Sequence, residues 1–463
     1  MRRSRLVGIL EKRGGHIAPF LLLVGLILIG GIPAIKPRRN FIDESAVSIG
    51  EIPVLISLSD MSHPDTTVHQ SHRIVHGRRS VGSEIIAIYV NKAEKASVIL
   101  GNALIAVLRK RENMACDTHF YFVANTDKDW PIPNSFVRSA LVINVSSLNT
   151  RNLCFGVYGK NGMQPNQDLF NVAVSMAKEW GLKVDVLCQN PYTTYSLSRS
   201  MYEHYITALQ TALIAPQYPQ PWHSFRSHGI SSLSISTVKS DENYNRSDAF
   251  SMVAMLEQII ATLSYLDERF HHSTSVWVPL SVTHYIEYDI AQFGIMLLVA
   301  SLLSTGYSIY KVKGLNLSPY VMIIWITPFI VSIATEWFET LGFFLSSILL
   351  LIILSTFDWD LSWLTINAVV LCLLIILQPA AGLIMGSGVA LQLLFLHVKC
   401  QNVMLLALGS LCSWAIFFYF VHVLNLRGYD IHTTGGIYLS FFVYPNALWV
   451  SSRLIRSIVY YKG

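Results

Sequence analysis

The first side chains that could do chemistry are four histidines near the start of the chain: His63, His69, His72 and His76. On a helix, the spacing His69-x-x-His72-x-x-x-His76 would gather imidazoles on one side, and neutral imidazole is a good zinc ligand. Pro64, Asp65, Thr66 and Thr67 favour a loop instead, and no cysteine or well-spaced carboxylate completes a ligand set. The segment 61–79 is therefore expected to be a solvated loop, and neither metal nor cofactor is expected. Ser387 stands between Gly386 and Gly388, but within an apolar stretch, whereas a nucleophile elbow needs a strand–turn–helix setting. Gly382-x-x-x-Gly386 reads better as a small-residue face for close helix packing.

Six cysteines offer no Cys-x-x-Cys spacing, which disfavours a zinc ribbon or redox motif. Cys372, Cys400 and Cys412 lie in or beside apolar stretches and are expected to be buried small hydrophobes. Cys116, Cys154 and Cys188 lie in polar sequence and allow one disulfide with one thiol left over. The polar residues inside apolar stretches, Asn367, Gln378, Gln392 and His422, can each be satisfied by a neighbouring helix. A transporter more often carries carboxylates or basic residues at such positions. In the run Phe442-Val443-Tyr444-Pro445-Asn446, proline frees a backbone carbonyl and bends a helix. Asn446 beside that bend could meet a polar headgroup, or the bend could be a tolerated kink.

These residues must be positioned by elements that are largely membrane-embedded. Hydrophobic residues make up 52% of the 463 and charged residues 14%, about half the usual soluble share. The net charge of +5 is small and dispersed, so nucleic acid is not an expected partner. An apolar run over 16–35 follows Arg2, Arg3, Arg5, Lys12 and Arg13, and reads as a retained signal-anchor helix with residues 1–15 in the cytosol. Residues 36–289 then face the lumen, where sequons at Asn144 and Asn245 are expected glycosylation sites. The block 290–451 divides into seven apolar spans near 290–309, 318–335, 340–357, 361–378, 380–398, 402–424 and 433–451. Gln378-Pro379 marks either a tight turn or a kink. Lys311, Lys313, Lys399, Arg453, Arg456 and Lys462 then all fall on the cytosolic side, with 452–463 as a cytosolic tail.

Within 36–289, strand-like stretches at 84–90, 120–124, 140–145, 152–158, 183–188 and 231–237 alternate with helical patterns at 96–109, 167–180, 201–215 and 247–270. This alternation predicts an α/β domain with a mixed, mostly parallel sheet, and the last helix is expected to lead to the membrane.

Several local motifs resemble one family. They are Arg39-Asn40-Phe41-Ile42-Asp43-Glu44-Ser45-Ala46 after the first span, and Asn161-Gly162-Met163-Gln164-Pro165-Asn166-Gln167-Asp168-Leu169. Leu209-Gln210-Thr211, Ser227-His228-Gly229, His432-Thr433-x-Gly435 and Tyr444-Pro445 follow. The set and its order resemble the GPI-anchor attachment protein family, the accessory subunit of the glycosylphosphatidylinositol (GPI) transamidase, in a divergent short form.

That resemblance implies a polytopic endoplasmic reticulum membrane protein with about eight transmembrane helices. Its lumenal domain would resemble a zinc-less aminopeptidase, an α/β/α sandwich. Where an active aminopeptidase carries its metal ligands, this chain has Tyr89-Val90-Asn91-Lys92, Lys95-Ala96-Ser97, Asn125-Thr126-Asp127, Asn144–Ser146 and Asn243–Asn245. Catalytic zinc needs about three protein ligands, and none of these positions supplies a histidine. The resemblance thus implies a non-catalytic subunit that binds the GPI glycolipid and presents its ethanolamine amine. The partners implied are a caspase-like cysteine protease subunit, other transamidase subunits and precursor proteins with a C-terminal signal.

Phe41, Asp43, Glu44, Asp241, Glu242, Asn243, Tyr244 and Pro445 would contact the lipid, or else be ordinary solvated or structural positions. A polytopic lipid carrier or transporter, or a membrane metallopeptidase, is the alternative.

Overall fold

The computed structural model describes residues 5–35, 38–39, 67–68, 70–78, 84–111, 114–124, 130–133, 136–157, 164–186, 201–205, 225, 228–237, 246–265, 277–313, 347–352, 354–355, 360–377, 379–397, 403–425 and 443–460. The chain divides into two compact units: Lys36–Glu287, and Met1–Ile35 with Tyr288–Gly463.

The first of these is built on a seven-stranded sheet. β1 (Arg38–Arg39) belongs to a smaller sheet. β2 (His72–Val75), β3 (Ile85–Asn91), β4 (Asp117–Val123), β5 (Val137–Asn144), β6 (Asn152–Gly156), β7 (Lys183–Asp185) and β8 (Ser232–Thr237) form the large one. Their order is β2-β4-β3-β5-β8-β6-β7. Four of its six pairings are parallel, and β2–β4 and β6–β8 are antiparallel. All seven residues of β3 are buried, as expected for a central strand covered on both faces.

Helices α2 (Lys95–Lys110), α3 (Gln167–Glu179) and α4 (Arg246–Tyr265) pack together on one face. The opposite face is closed by an aromatic cluster in which Tyr89 and Tyr121 meet Trp130 and Phe225. The helix expected at 201–215 is helical over 201–205, and its remainder lies outside the described residues.

α4 is anchored by charge along its length. Arg151 bonds Asp248 at 2.8 Å near its start, and Arg111 bonds the fully buried Glu257 at 2.9 Å. Arg138 donates to the carbonyl of Leu263 at 2.9 Å, satisfying a helix-end acceptor. The helix is described over Arg246–Tyr265, residues 266–276 lie outside the described residues, and a hairpin of β9 (Trp277–Pro279) and β10 (His284–Glu287) stands between it and the helical unit in sequence. β10 pairs with β9 on one side and with β1 on the other, in the order β1-β10-β9.

The histidine-rich segment also departs from expectation. His72–Val75 is an edge strand rather than a loop, because it pairs antiparallel with β4, Ile74 opposite His119 and Val75 opposite Thr118. Cys154 is disulfide-bonded, whereas Cys116 is a buried thiol lying 3.7 Å from the Ser264 carbonyl.

The helical unit contains α1 (Arg5–Ile35), α5 (Tyr288–Lys313), α6 (Asp360–Leu377), α7 (Pro379–His397), α8 (Val403–Asn425) and α9 (Tyr444–Tyr460). α1 begins at Arg5, well ahead of the expected residue 16. α1 and α5 cross closely at two glycines. A Cβ on Gly25 would lie 3.1 Å from the Gly294 carbonyl, and one on Gly294 would lie 2.9 Å from Ile29. Gly382 and Gly386 likewise face Ile295 and Leu298 of α5, so the Gly-x-x-x-Gly face is a packing face. α6 stops at Leu377 and Pro379 opens α7, the first-turn position where proline costs least, so this pair is two helices.

Cys372 and Cys412 are exposed rather than buried, each on an apolar outer face shared with Leu373 or Leu411. Among the described residues, Gln292–Lys311 is long and apolar enough to cross a membrane. Ile17–Gly31, Asp360–Ile376, Gly382–Leu393 and Val403–Phe418 are shorter apolar helices. The span expected at 318–335 lies outside the described residues.

Candidate functional site

The chain leaves β3 through α2 to reach β4 on one side, and later places β5 on the other. That reversal opens a crevice at the carboxyl ends of β3 and β5, where α/β folds usually bind ligands. Here the crevice is filled by neutral side chains that satisfy one another. Asn91 ends β3 and is 3% exposed. It donates from Nδ2 to Asn144 Oδ1 at 2.8 Å and accepts the Ala93 amide on Oδ1 at 3.0 Å. Ser97, in the first turn of α2, donates to the Val145 carbonyl at 3.0 Å and accepts its amide at 2.7 Å. Thr237 Oγ1 accepts the Ser146 amide at 3.0 Å.

Amide and hydroxyl groups locked in this way offer a divalent cation no anionic or imidazole ligand. Among the described residues, no group of three or more His, Cys, Asp or Glu could hold a metal ion. Asn125, Asp127 and Asn243–Asn245 lie outside the described residues, as does the sequon at Asn245. Asn144, the other sequon residue, is half-buried with its amide oxygen engaged by Asn91.

At the sheet edge, the histidines are brought together in an unforeseen pairing. His72 meets His119 of β4, with ring nitrogens 3.3 Å apart, and stacks on Tyr121 at 4.5 Å. His76 approaches Asp117 at 3.5 Å. Burial, then the neighbouring His72, hold His119 below its ordinary value, against the opposing pull of Asp117. Burial pushes the Tyr89 and Tyr121 hydroxyls up. Sequence reading missed this set because His119 sits 47 residues from its partner.

The motif ending Gln164-Pro165-Asn166-Gln167-Asp168-Leu169 has a definite local role. Asn166 caps α3, accepting the Asp168 amide at 2.8 Å, and its own amide donates to Ser231 Oγ at 2.9 Å. Gln164 Oε1 accepts the Trp277 amide at 3.0 Å, and the Trp277 indole donates to the Pro165 carbonyl at 3.2 Å. Phe170 closes on the Trp277 ring at 5.0 Å. The motif therefore docks the start of α3 onto the β9–β10 hairpin. Residues 161–163 and 209–213 are outside the described residues. At Ser-His-Gly, Gly229 takes a φ of 73°, which a glycine adopts without cost.

Of the residues expected to contact lipid, Phe41, Asp43, Glu44, Asp241, Glu242, Asn243 and Tyr244 lie outside the described residues. Pro445 is buried in the first turn of α9, behind a wider π-type turn at Val443. Asn446 is not open to a headgroup. Its Oδ1 accepts the Trp363 indole at 2.5 Å, and it exchanges bonds with Asn367 at 3.3 Å.

α9 also continues to Tyr460, so Arg453 and Arg456 are helical. Asp360, at the start of α6, accepts from Arg453 at 2.8 Å, Trp449 at 3.0 Å and Arg456 at 3.4 Å. Trp363 stacks on Trp449 at 3.7 Å, and the Arg453 guanidinium lies 5.5 Å from the Trp449 ring centre. These contacts clasp α6 to α9. They explain why an acidic residue is kept beside basic ones in so apolar a block.

No curated protein matches the chain. A protein-family model described as Gaa1-like, GPI transamidase component, matches residues 136–427, from the start of β5 past the end of α8. This is more than half of the chain and includes the Gln164–Phe170 motif. The chain therefore belongs to the Gaa1-like family and is a GPI transamidase component.

Proposed function

We propose that the chain is a non-catalytic subunit of the GPI transamidase, binding the GPI lipid and presenting its ethanolamine amine to an acyl-enzyme formed on a separate cysteine protease subunit. The observation that carries this reading is the family match, read together with the crevice at the strand ends. Asn91, Ser97, Asn144 and Thr237 there hydrogen-bond to one another and to backbone.

In such a subunit, rate comes from positioning. Holding an amine beside an acyl-enzyme turns a two-body encounter into a one-body step, an effect that can reach ~7–11 kcal/mol. The helical unit spans the endoplasmic reticulum membrane about eight times in this reading, with the sheet unit in the lumen. Apolar α1, α5, α6, α7 and α8 support that arrangement.

Phe41, Asp43 and Glu44, with Asp241, Glu242, Asn243 and Tyr244, form the headgroup contacts we assign. Pro445 shapes the acyl-chain groove, and Asn144 and Asn245 carry the glycans. Affinity purification in mild detergent tests the reading. We expect a caspase-like cysteine protease chain to co-purify together with GPI; its consistent absence would overturn the assignment.

A further inference from the structure

Of the histidines spaced along the start of the chain, His72 meets an imidazole from another strand, and His76 turns to Asp117 at 3.5 Å. Side chains alternate along a strand, so Asp117, His119 and Tyr121 of β4 stand on one face of the sheet. β2 is registered with His72 opposite Tyr121 and Ile74 opposite His119. His72 and His119 are thus diagonal neighbours on one face of the outermost strand pair, a separation that long side chains bridge. Their Nε2 and Nδ1 atoms are 3.3 Å apart, and Tyr121 Oη lies 3.4 Å from the same His119 Nδ1. His72 is exposed and His119 half-buried, so an ion in solvent reaches the pair.

Both separations are long for hydrogen bonds from nitrogen, which cluster at about 2.7–3.2 Å. They fit another geometry. A tetrahedral zinc site holds imidazole nitrogens at about 2.0–2.1 Å, which sets two of them about 3.3 Å apart. His119 Nδ1 carries either one hydrogen or one lone pair, so it cannot bond fully to both neighbours. A cation seated among the three atoms takes a lone pair from each.

We propose that His72 Nε2, His119 Nδ1 and Tyr121 Oη bind one divalent transition-metal ion of the zinc type, tying the edge strand β2 to β4. The inference is independent of the GPI-binding reading above. The donors fix the ion class, because imidazole suits zinc, copper and nickel, whereas magnesium and calcium take oxygen ligands. The set holds two imidazoles and a phenol, and so differs from a cluster of three His, Cys, Asp or Glu, of which the described residues have none. Solvent takes the fourth position.

Zinc titration of the full-length chain tests this, with the protein purified in mild detergent without a histidine tag and stripped by chelator. An ion that binds the folded state stabilises it, so zinc at about a hundredfold its Kd should raise the melting temperature by about 5 °C. Cobalt(II) in place of zinc should give the intense visible absorption of a four-coordinate ion at one equivalent. His72→Gln and His119→Gln should each weaken binding by more than the roughly 10–100-fold that losing a ligand's hydrogen-bond partner costs. Tyr121→Phe removes one oxygen and should weaken it as well. His76→Gln should bind as wild type does. Each shift is read against the same variant in chelator, so a direct effect of the substitution on stability cancels. Should His119→Gln fail to fold, the exposed His72→Gln carries the test alone.

No binding by wild type would leave the contacts as hydrogen bonds and overturn the proposal. Equal binding by H72Q or H119Q would assign the ion to other surface histidines and overturn it too. A loss in H76Q as large as in H72Q would move the ion along the strand, with the same consequence. Equal binding by Y121F would overturn the three-ligand set. The same shift with magnesium would mark a general ionic effect and sink the proposal equally.

Discussion

The crevice at the strand ends and the contact between α6 and α9 both bury polar groups, but with different chemistry. At the carboxyl end of the sheet, Asn91, Ser97, Asn144 and Thr237 are neutral and bond to one another and to backbone. Between α6 and α9, Asp360, Arg453 and Arg456 are charged and pair beside stacked tryptophans. Neutral donors and acceptors of this kind are each worth little alone. A carboxylate in an apolar helix block cannot lose a partner so cheaply, because little else there solvates it. The helix arrangement therefore depends on this one cluster more than the strand-end crevice depends on any one side chain.

Breaking the charged side of this contrast should have the largest effect. Arg453→Ala removes the closest partner of Asp360, and losing one member of a buried pair costs about 3–5 kcal/mol. Because Arg456 and Trp449 still reach Asp360, the lower end of that range is expected. Thermal unfolding in detergent should show a clear drop, recovered in part by adding Asp360→Asn. An unchanged melting temperature would mean that the clasp does not hold the helices.

The sheet unit offers a control of similar size in Arg111→Met, which removes the guanidinium 2.9 Å from the fully buried Glu257. Here the double variant with Glu257→Met should restore most of the roughly 3 kcal/mol lost, since apolar replacements of buried pairs are often neutral. Trp363→Phe comes next, losing the bond to Asn446 and part of the Trp449 stack for about 1–2 kcal/mol.

The crevice itself should be quieter. Asn91→Ala should cost about 1 kcal/mol, read by denaturant unfolding of the sheet unit, and leave GPI attachment per folded complex intact. A collapse of attachment without loss of stability would mean that the crevice acts on substrate. The smallest effect is that of pH. His119 is held below its ordinary value of 6.5, so the folded state resists its protonation. Its contribution is complete above that pH and is lost as pH falls below it. Stability should therefore decline from pH 6.5 downward, and His119→Gln should flatten that decline.

How much of this was legible in the sequence depended on the range of the interaction. The strands at 85–91 and 137–144 and the helices at 95–110 and 167–179 follow from local periodicity, and their boundaries fall within a few residues of expectation. Asn166 was read only as part of the family motif, and its role as the cap of α3 came from the structure. The contacts that change meaning were not legible. Arg453 and Arg456 read as topology signals until their 93- and 96-residue reach to Asp360 is known. His72 belonged to a proline-flanked, histidine-rich stretch, and only β4 makes it a strand. Asn446 looked available to a headgroup, but its partners Trp363 and Asn367 lie on another helix. That these crevice positions are neutral was readable from residue type alone, whereas the bonds between them required the register of β3 against β5.

The most direct test of the account is photocrosslinking with a GPI analogue carrying its label near the ethanolamine, applied to the intact transamidase. We predict label on this chain, and we predict that depleting it stops attachment while the precursor still forms its acyl-enzyme on the protease subunit. Label confined to other chains, with lipid capture unaffected by depletion, would contradict the role assigned here.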